Sequence, residues 1–349
     1  MSKGSSATNW TIGIDVGDRT SEICVLDPAG NVHERKRAAT YAGAVKEALR
    51  GYEGARVLIE VGTHSPWLSR ELSEGFDVIV ANPRRVRLIA QSTSKNDTGD
   101  AEMLARLGRI DPNLLSPIRH RGEEAQRDLT LIRARDALVR ARTQLINTAR
   151  GLAKALGQRL AKCSADTFAK RMRESSETGR FPGFSGLVEI IAELSGKIRN
   201  MDQEIERACT DRYPETAPLR AIAGVGALTS LSFVLVIDDP GRFPSSRAVG
   251  SYLGLRPRQR DSGGRRPQLR ITKEGDALLR RLLVGAGHYI LGPFGPDTDL
   301  RRFGQRLCER GGKAAKKRAV VAVARKLSVL LHRLWISGKP YEPCRTMAS

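Results

Sequence analysis

Two short apolar runs, each with an acid at or near its end, constrain the fold of this chain most. Trp10-Thr11-Ile12-Gly13-Ile14-Asp15-Val16 and Ala55-Arg56-Val57-Leu58-Ile59-Glu60 read as strands. Between them, Thr20 to Asp27 is a second strand, Asp27-Pro28-Ala29-Gly30 a turn, and Asn31 to Thr40 a third strand. Residues 41–50 have helical composition. A helix from about Pro66 to Ser73, a strand over Phe76-Asp77-Val78-Ile79-Val80, and helices near 83–91 and 99–108 complete the pattern. Three antiparallel strands followed by helix, strand, helix, strand and helices predict a mixed α/β domain over residues 1–122.

Residues 123–212 change character. Leu, Ile and Val recur at helical spacing over 123–157, and Leu187, Ile191, Leu194, Ile198, Met201, Ile205 and Ala208 alternate steps of four and three. The latter is the a/d pattern of a coiled-coil seam. The connection ends in Gly179-Arg180-Phe181-Pro182-Gly183, which interrupts any helix. Two readings stand open here: a helical hairpin closed within the chain, or a seam that dimerises. Residues 213–349 read as a second globular unit, short-helical and glycine-punctuated. It ends in a basic amphipathic helix over 313–337 that carries Lys316, Lys317 and Arg318.

Charge narrows the partners. The 59 Lys+Arg against 38 Asp+Glu leave +21, and residues 301–349 alone hold 13 basic and 2 acidic side chains. Nucleic acid is the polyanion that such an excess suits, through counterion release. No apolar run reaches the ~18 residues of a membrane span, and no signal-peptide stretch follows Met1, so cytoplasm is the expected compartment. Five scattered cysteines and five dispersed histidines offer neither a disulfide framework nor a zinc-ligand spacing.

Three constellations carry chemistry. In the first, Asp15 and Glu60 end strands that, as sheet neighbours, would project at one edge. Asp97 and Asp100 stand three apart, on one face at a helix start. Four carboxylates together require cations, and an oxygen-only donor set suits Mg²⁺ or Mn²⁺ in phosphoryl transfer. The second is the segment from Leu253 to Arg266, in which Arg256, Arg258, Arg260, Arg265 and Arg266 surround Ser262-Gly263-Gly264, with Lys273 beyond. The arginines suit phosphate. Ser262 is either a nucleophile in need of activation or part of a turn in a basic hairpin that binds DNA backbone. The third is Ile222-Ala223-Gly224-Val225-Gly226-Ala227, a Gly-x-Gly turn that could present N–H groups to phosphate.

In order, these segments resemble the DEDD insertion-sequence transposases, the family of bridge-RNA-guided recombinases. The resemblance spans almost the whole chain. It rests on Gly13-Ile14-Asp15-Val16-Gly17, Ile59-Glu60-Val61-Gly62, Lys95-Asn96-Asp97-Thr98-Gly99-Asp100-Ala101, Arg242-Phe243-Pro244-Ser245, Tyr252-Leu253-Gly254-Leu255-Arg256-Pro257, Ser262-Gly263-Gly264 and Ile271-Thr272-Lys273-Glu274-Gly275. It implies an RNase H-like (RuvC-like) α/β domain whose metal is held by Asp15, Glu60, Asp97 and Asp100, then a helical coiled-coil region. A mainly α transposase domain would follow, with Ser262 as the nucleophile that links covalently to DNA. It also implies a structured guide RNA that pairs with target and donor DNA, and assembly as a dimer or tetramer with composite sites. Two positions depart from the family pattern: Ala223 stands for proline and Asp276 for asparagine.

Three other readings compete. A RuvC-like nuclease or junction resolvase would use the same acids with activated water and give Ser262 no role. A sugar-kinase or actin-like ATPase would need a second phosphate loop and an adenosine motif, and neither is found. A binding protein without catalysis would leave the four spaced acids unexplained.

Overall fold

Residues 10–82, 97–175, 183–260, 269–309 and 311–344 are described by the structure, a computed structural model. The chain divides into two units, Met1–His120 and Arg121–Ser349.

In the first unit the strands are β1 (Thr11–Val16), β2 (Thr20–Leu26), β3 (Val32–Ala39), β4 (Arg56–Glu60) and β5 (Asp77–Ala81). They form one sheet in the order β3-β2-β1-β4-β5. The first three pair antiparallel, as the turn at Asp27–Gly30 allows, whereas β4 and β5 join β1 in parallel. Strand alternation sorts the side chains between two faces. Ile12, Ile14, Val57 and Ile59 pack on one face with Val45, Leu49, Leu68 and Leu72, contributed by or beside α1 (Ala42–Ala48) and α2 (Ser65–Leu72). On the other face, Cys24, Leu26 and Leu58 meet Ala101, Leu104, Ala105 and Leu107 of α3 (Asp97–Ile110). The helix expected near 83–91 lies outside the described residues.

The second unit is helical throughout its described residues apart from short connections and one isolated bridge. Helices α4 (Glu123–Ala155) and α6 (Phe184–Asp211) lie against each other, with the short α5 (Phe168–Glu174) over one end. The heptad residues Ile191, Ile198, Ile205 and Ala208 are buried within the chain, so the described seam is at least an intramolecular one. Arg135 donates to Asp202 at 2.7 Å. The buried Arg142 donates to Asp166 at 2.6 Å and to the Ser195 hydroxyl at 3.1 Å.

The remaining helices are α7 (Thr216–Arg220), α8 (Ala227–Ile237), α9 (Ser246–Tyr252), α10 (Ala277–Leu291), α11 (Asp299–Cys308) and α12 (Lys313–Ser337). The almost wholly buried α8 sits at their centre, and its core takes in Ala125, Leu129 and Ile132 of α4 and Ile205 and Ala208 of α6. The Gly-x-Gly turn is part of this packing. Gly224 has φ +88, and a Cβ there would stand 3.0 Å from Tyr289 Cδ1 of α10.

Asp276 caps α10: its side chain accepts from the Leu279 N–H at 2.9 Å, and Arg133 lies 3.8 Å away. Asn caps as well as Asp, whereas Ala does not. Asp276→Asn is therefore expected to keep the stability of the native chain, and Asp276→Ala to lose about 1 kcal/mol, both read from urea unfolding midpoints.

Candidate active site

The pairing of β1 with β4 fixes the first two acids. In their parallel register Thr11 opposes Arg56 and Ile14 opposes Ile59, so Asp15 and Glu60 fall at the same level on neighbouring strands. Both are half-buried, at the carboxyl ends of their strands. Strand alternation then gives their face. Gly13 and Leu58, two residues earlier, both meet α3, so Asp15 and Glu60 belong to the α3 face.

The direction of α3 fixes the other two. Arg106 and Arg109, in its last two turns, donate to the Gly30 and Pro28 carbonyls. That turn follows Leu26, which pairs with Thr11 at the start of β1. The helix thus runs antiparallel to β1, and its first turn, with Asp97 and Asp100, lies toward the Asp15 end. Asp97 is one turn before Ala101, whose backbone touches Gly13: a Cβ on Gly13 would stand 2.0 Å from the Ala101 carbonyl oxygen. Asp100 is exposed, and the Asp97 side chain lies outside the described residues. Among the described residues no cluster of three or more metal-ligating side chains is present. What the backbone brings together is two carboxylate-bearing strand ends and the first turn of an acid-bearing helix. Such an oxygen donor set fits a hard divalent cation.

Two further residues stand at this end of the sheet, and neither belongs to the four acids singled out from the sequence. Asp18, in the loop after β1, lies 3.4 Å from His64 Nε2, in the loop after β4. Trp67 Nε1 donates to His64 Nδ1 at 3.1 Å. An indole nitrogen can only donate, so Nδ1 is the acceptor and neutral His64 carries its proton on Nε2, facing Asp18. The sequence signal was the position of each residue, three and four places after a strand-ending acid.

The serine segment is visible through its flanks. Arg258 N–H donates to the Arg270 carbonyl at 3.0 Å and Thr272 N–H to the Arg256 carbonyl at 2.9 Å, with Pro257 bridged to Ile271. Gly254, at φ +66, lets the arms close, because a Cβ there would meet Glu274 N at 2.2 Å. Arg280 secures the base by donating to the Leu253 and Glu274 carbonyls at 3.0 and 2.6 Å. Arg256, Arg258, Arg260 and Lys273 are exposed on these arms, as are Lys316, Lys317 and Arg318 on α12. Ser262, Arg265 and Arg266 lie outside the described residues.

The Arg242–Ser245 motif is held from behind. His332 is fully buried; its Nε2 donates to the Pro240 carbonyl at 3.0 Å, and its Nδ1 accepts from the Ser246 hydroxyl at 2.9 Å. Burial holds the His332 imidazole below its usual pKa, which suits this neutral role.

Comparison with known proteins places the geometry in a family. A family model described as Transposase, of the DEDD IS110 type, matches residues 12–156. A second, described as Transposase IS116/IS110/IS902 family, matches residues 216–292. The chain is 28% identical over 344 residues to the transposase for insertion sequence element IS1111A of Coxiella burnetii, covering 95% of this chain and 90% of that one. It is 31% identical over 281 residues to the transposase for insertion sequence element IS1328 of Yersinia enterocolitica, covering 78% and 81%. A pilin gene-inverting protein of Moraxella bovis is 24% identical over 351 residues, covering 95% and 97%. The chain belongs to the IS110 family of transposases, enzymes that cleave and rejoin DNA.

Proposed function

We propose that this chain is an RNA-guided DNA recombinase whose RNase H-like domain holds Mg²⁺ or Mn²⁺ through Asp15, Glu60, Asp97 and Asp100, and whose nucleophile is Ser262. The observation that carries the metal assignment is the shared level and face of Asp15 and Glu60, with the start of α3 at the same end. When bound, the divalent ion supplies charge neutralisation at phosphate and lowers the cost of deprotonating a hydroxyl.

The chain's own residues do the rest. The Ser262 hydroxyl attacks a DNA phosphodiester, an Oγ–P bond forms, one P–O bond breaks, and the departing DNA oxygen leaves as a hydroxyl with the proton that serine gave up. Attack by another DNA hydroxyl on the same phosphorus reverses the step and rejoins strands. The exposed arginines at 256, 258 and 260 and the residues Arg265, Arg266 and Lys273 bind the phosphates on either side, and Lys316, Lys317 and Arg318 extend that basic surface. Guide RNA and target and donor DNA are the partners, on the strength of net +21 and the family resemblance. Residues 1–122, 123–212 and 213–349 act as the catalytic α/β domain, the helical coiled-coil region and the serine-bearing transposase domain. Protomers assemble as a dimer or tetramer. Leu152, Leu156 and Ile190, 52%, 62% and 49% exposed at one end of the α4–α6 pair, are apolar surface that such assembly would cover.

The metal assignment is tested by electron paramagnetic resonance of Mn²⁺ titrated into the full chain. Saturable binding is expected, weakened at least tenfold by Asp15→Asn and by Glu60→Gln. Binding unchanged in both variants overturns it.

A further inference from the structure

Helix α12 ends at Gly338 in the left-handed conformation, φ +61, and the chain turns back over residues 339–344 as a strap. The strap is tied at its far end. Asp299 N–H donates to the Pro343 carbonyl at 2.8 Å, and Cys344 Sγ lies 3.6 Å from the Asp297 carbonyl. Asp297 in turn holds Arg302 by a 2.9 Å bond to Nε. Proline at 340 and 343 keeps the strap extended. Between it, α11 and α12 there remains a cavity of about 600 Å³, within the ~300–1,000 Å³ range of small-molecule sites.

Its walls are of two kinds. Leu300, Val329, Leu330, Leu334 and Ile336 give an apolar floor, and Tyr341 adds an aromatic ring from the strap. Arg306, Lys326, Arg333 and Lys339 give a cationic rim, with Arg302 already paired to Asp297, against the lining carboxylates Asp299 and Glu342. Lys326 is set over the Phe303 ring at 4.4 Å. A purely apolar ligand leaves that rim unused, and a bare phosphate leaves the floor unused. A nucleotide uses both. Its base has apolar faces that stack on aromatic rings and a polar edge for carboxylates, and its phosphate takes arginine. A base paired inside a duplex has no face free to enter.

We propose that this cavity takes one unpaired nucleotide of a nucleic-acid strand, with its base on the Leu330–Tyr341 floor and its phosphate at the Arg306–Arg333 rim. The choice of polymer rests on the chain's membership of a DNA-acting family; the cavity does not depend on the carboxylate and serine chemistry proposed above. A test that reads binding alone therefore separates the two.

Ser337→Trp fills the cavity from an exposed position without changing charge, and Ile336→Trp, at a 57% exposed lining residue, is a second such variant. The probes are fluorescein-labelled ten-nucleotide RNA, DNA of the same sequence, the same DNA made abasic at every position, and the blunt duplex, all read by anisotropy at one salt concentration. The native chain is expected to bind single strands about tenfold more tightly than the abasic strand. Both variants should lose that tenfold and keep their duplex affinity. Loss on the RNA arm alone or the DNA arm alone supports the proposal and identifies the source. Equal loss on the duplex, or single-strand affinity unchanged in both variants, overturns it.

Discussion

Glu60→Gln and Asp15→Asn are each expected to lower recombination by on the order of 10³-fold or more, with the helical and strand content of the chain intact. Both substitutions keep the shape of the side chain and remove its charge. The two residues end adjacent parallel strands at one level, half-buried and on the face that α3 covers. Two carboxylates so placed repel each other unless a cation lies between them, and an isosteric amide keeps the volume of each side chain, so the secondary structure is expected to persist. The loss falls instead on the oxygen donors that a divalent cation needs. The check is the yield of recombined DNA from each purified variant beside its circular dichroism spectrum. Recombination within tenfold of the native chain would remove these residues from the catalytic set.

The second large effect is expected at a residue with no chemistry of its own. Gly13→Ala should cost the first unit about 3 kcal/mol, at the upper end of overpacking losses, and should abolish recombination as well. Its new methyl would stand 2.0 Å from the Ala101 carbonyl oxygen and 2.7 Å from Ala105 N. Those are backbone atoms of α3, so only movement of the helix can relieve the clash, and that helix carries Asp97 and Asp100. Gly108→Ala, on the same helix, provides the contrast. Its methyl would stand 1.9, 2.5 and 2.7 Å from Cδ2, Cδ1 and Cγ of Leu58, a buried side chain that must repack rather than backbone that must move, so a smaller loss is expected. Urea unfolding of both variants measures the difference; equal stabilities would mean that α3 is not seated as described.

The sheet was legible in the sequence because its strands are short, apolar and bounded by turn residues. Asp27–Gly30 announces the β2–β3 turn, and the acids at 15 and 60 mark two strand ends. The long helices at 123–155 and 184–211 were legible through their periodicity. The heptad seam left its partner undecided, because a/d spacing records only that a stripe is apolar. Packing against α4 and α5, which buries Ile191, Ile198 and Ile205, depends on where the chain turns back.

The site was legible in part for a similar reason. Spacing puts Asp97 and Asp100 on one helix face but cannot give the direction of that helix. The carbonyl contacts of Arg106 and Arg109 at the other end of α3 do so. His64 escaped notice because its tautomer is set by Trp67 and its neighbour Asp18 is 46 residues away. The Gly224 turn looked like a phosphate loop, yet its glycine is accounted for by the close approach of Tyr289.

Attack on DNA by a serine of the second unit, and not by water, can be read from a mass measurement. The full chain is incubated with Mg²⁺, RNA transcribed from the non-coding DNA beside its gene, and the DNA spanning the element's junction. It is then quenched in denaturant and digested, and the peptide containing Ser262 is weighed. The native chain is expected to carry a nucleotide adduct on Ser262. Ser262→Ala should give no adduct and no cleaved DNA, while still binding both nucleic acids. Cleaved DNA without an adduct, or cleavage retained by Ser262→Ala, would contradict serine attack and make the chain a nuclease that activates water.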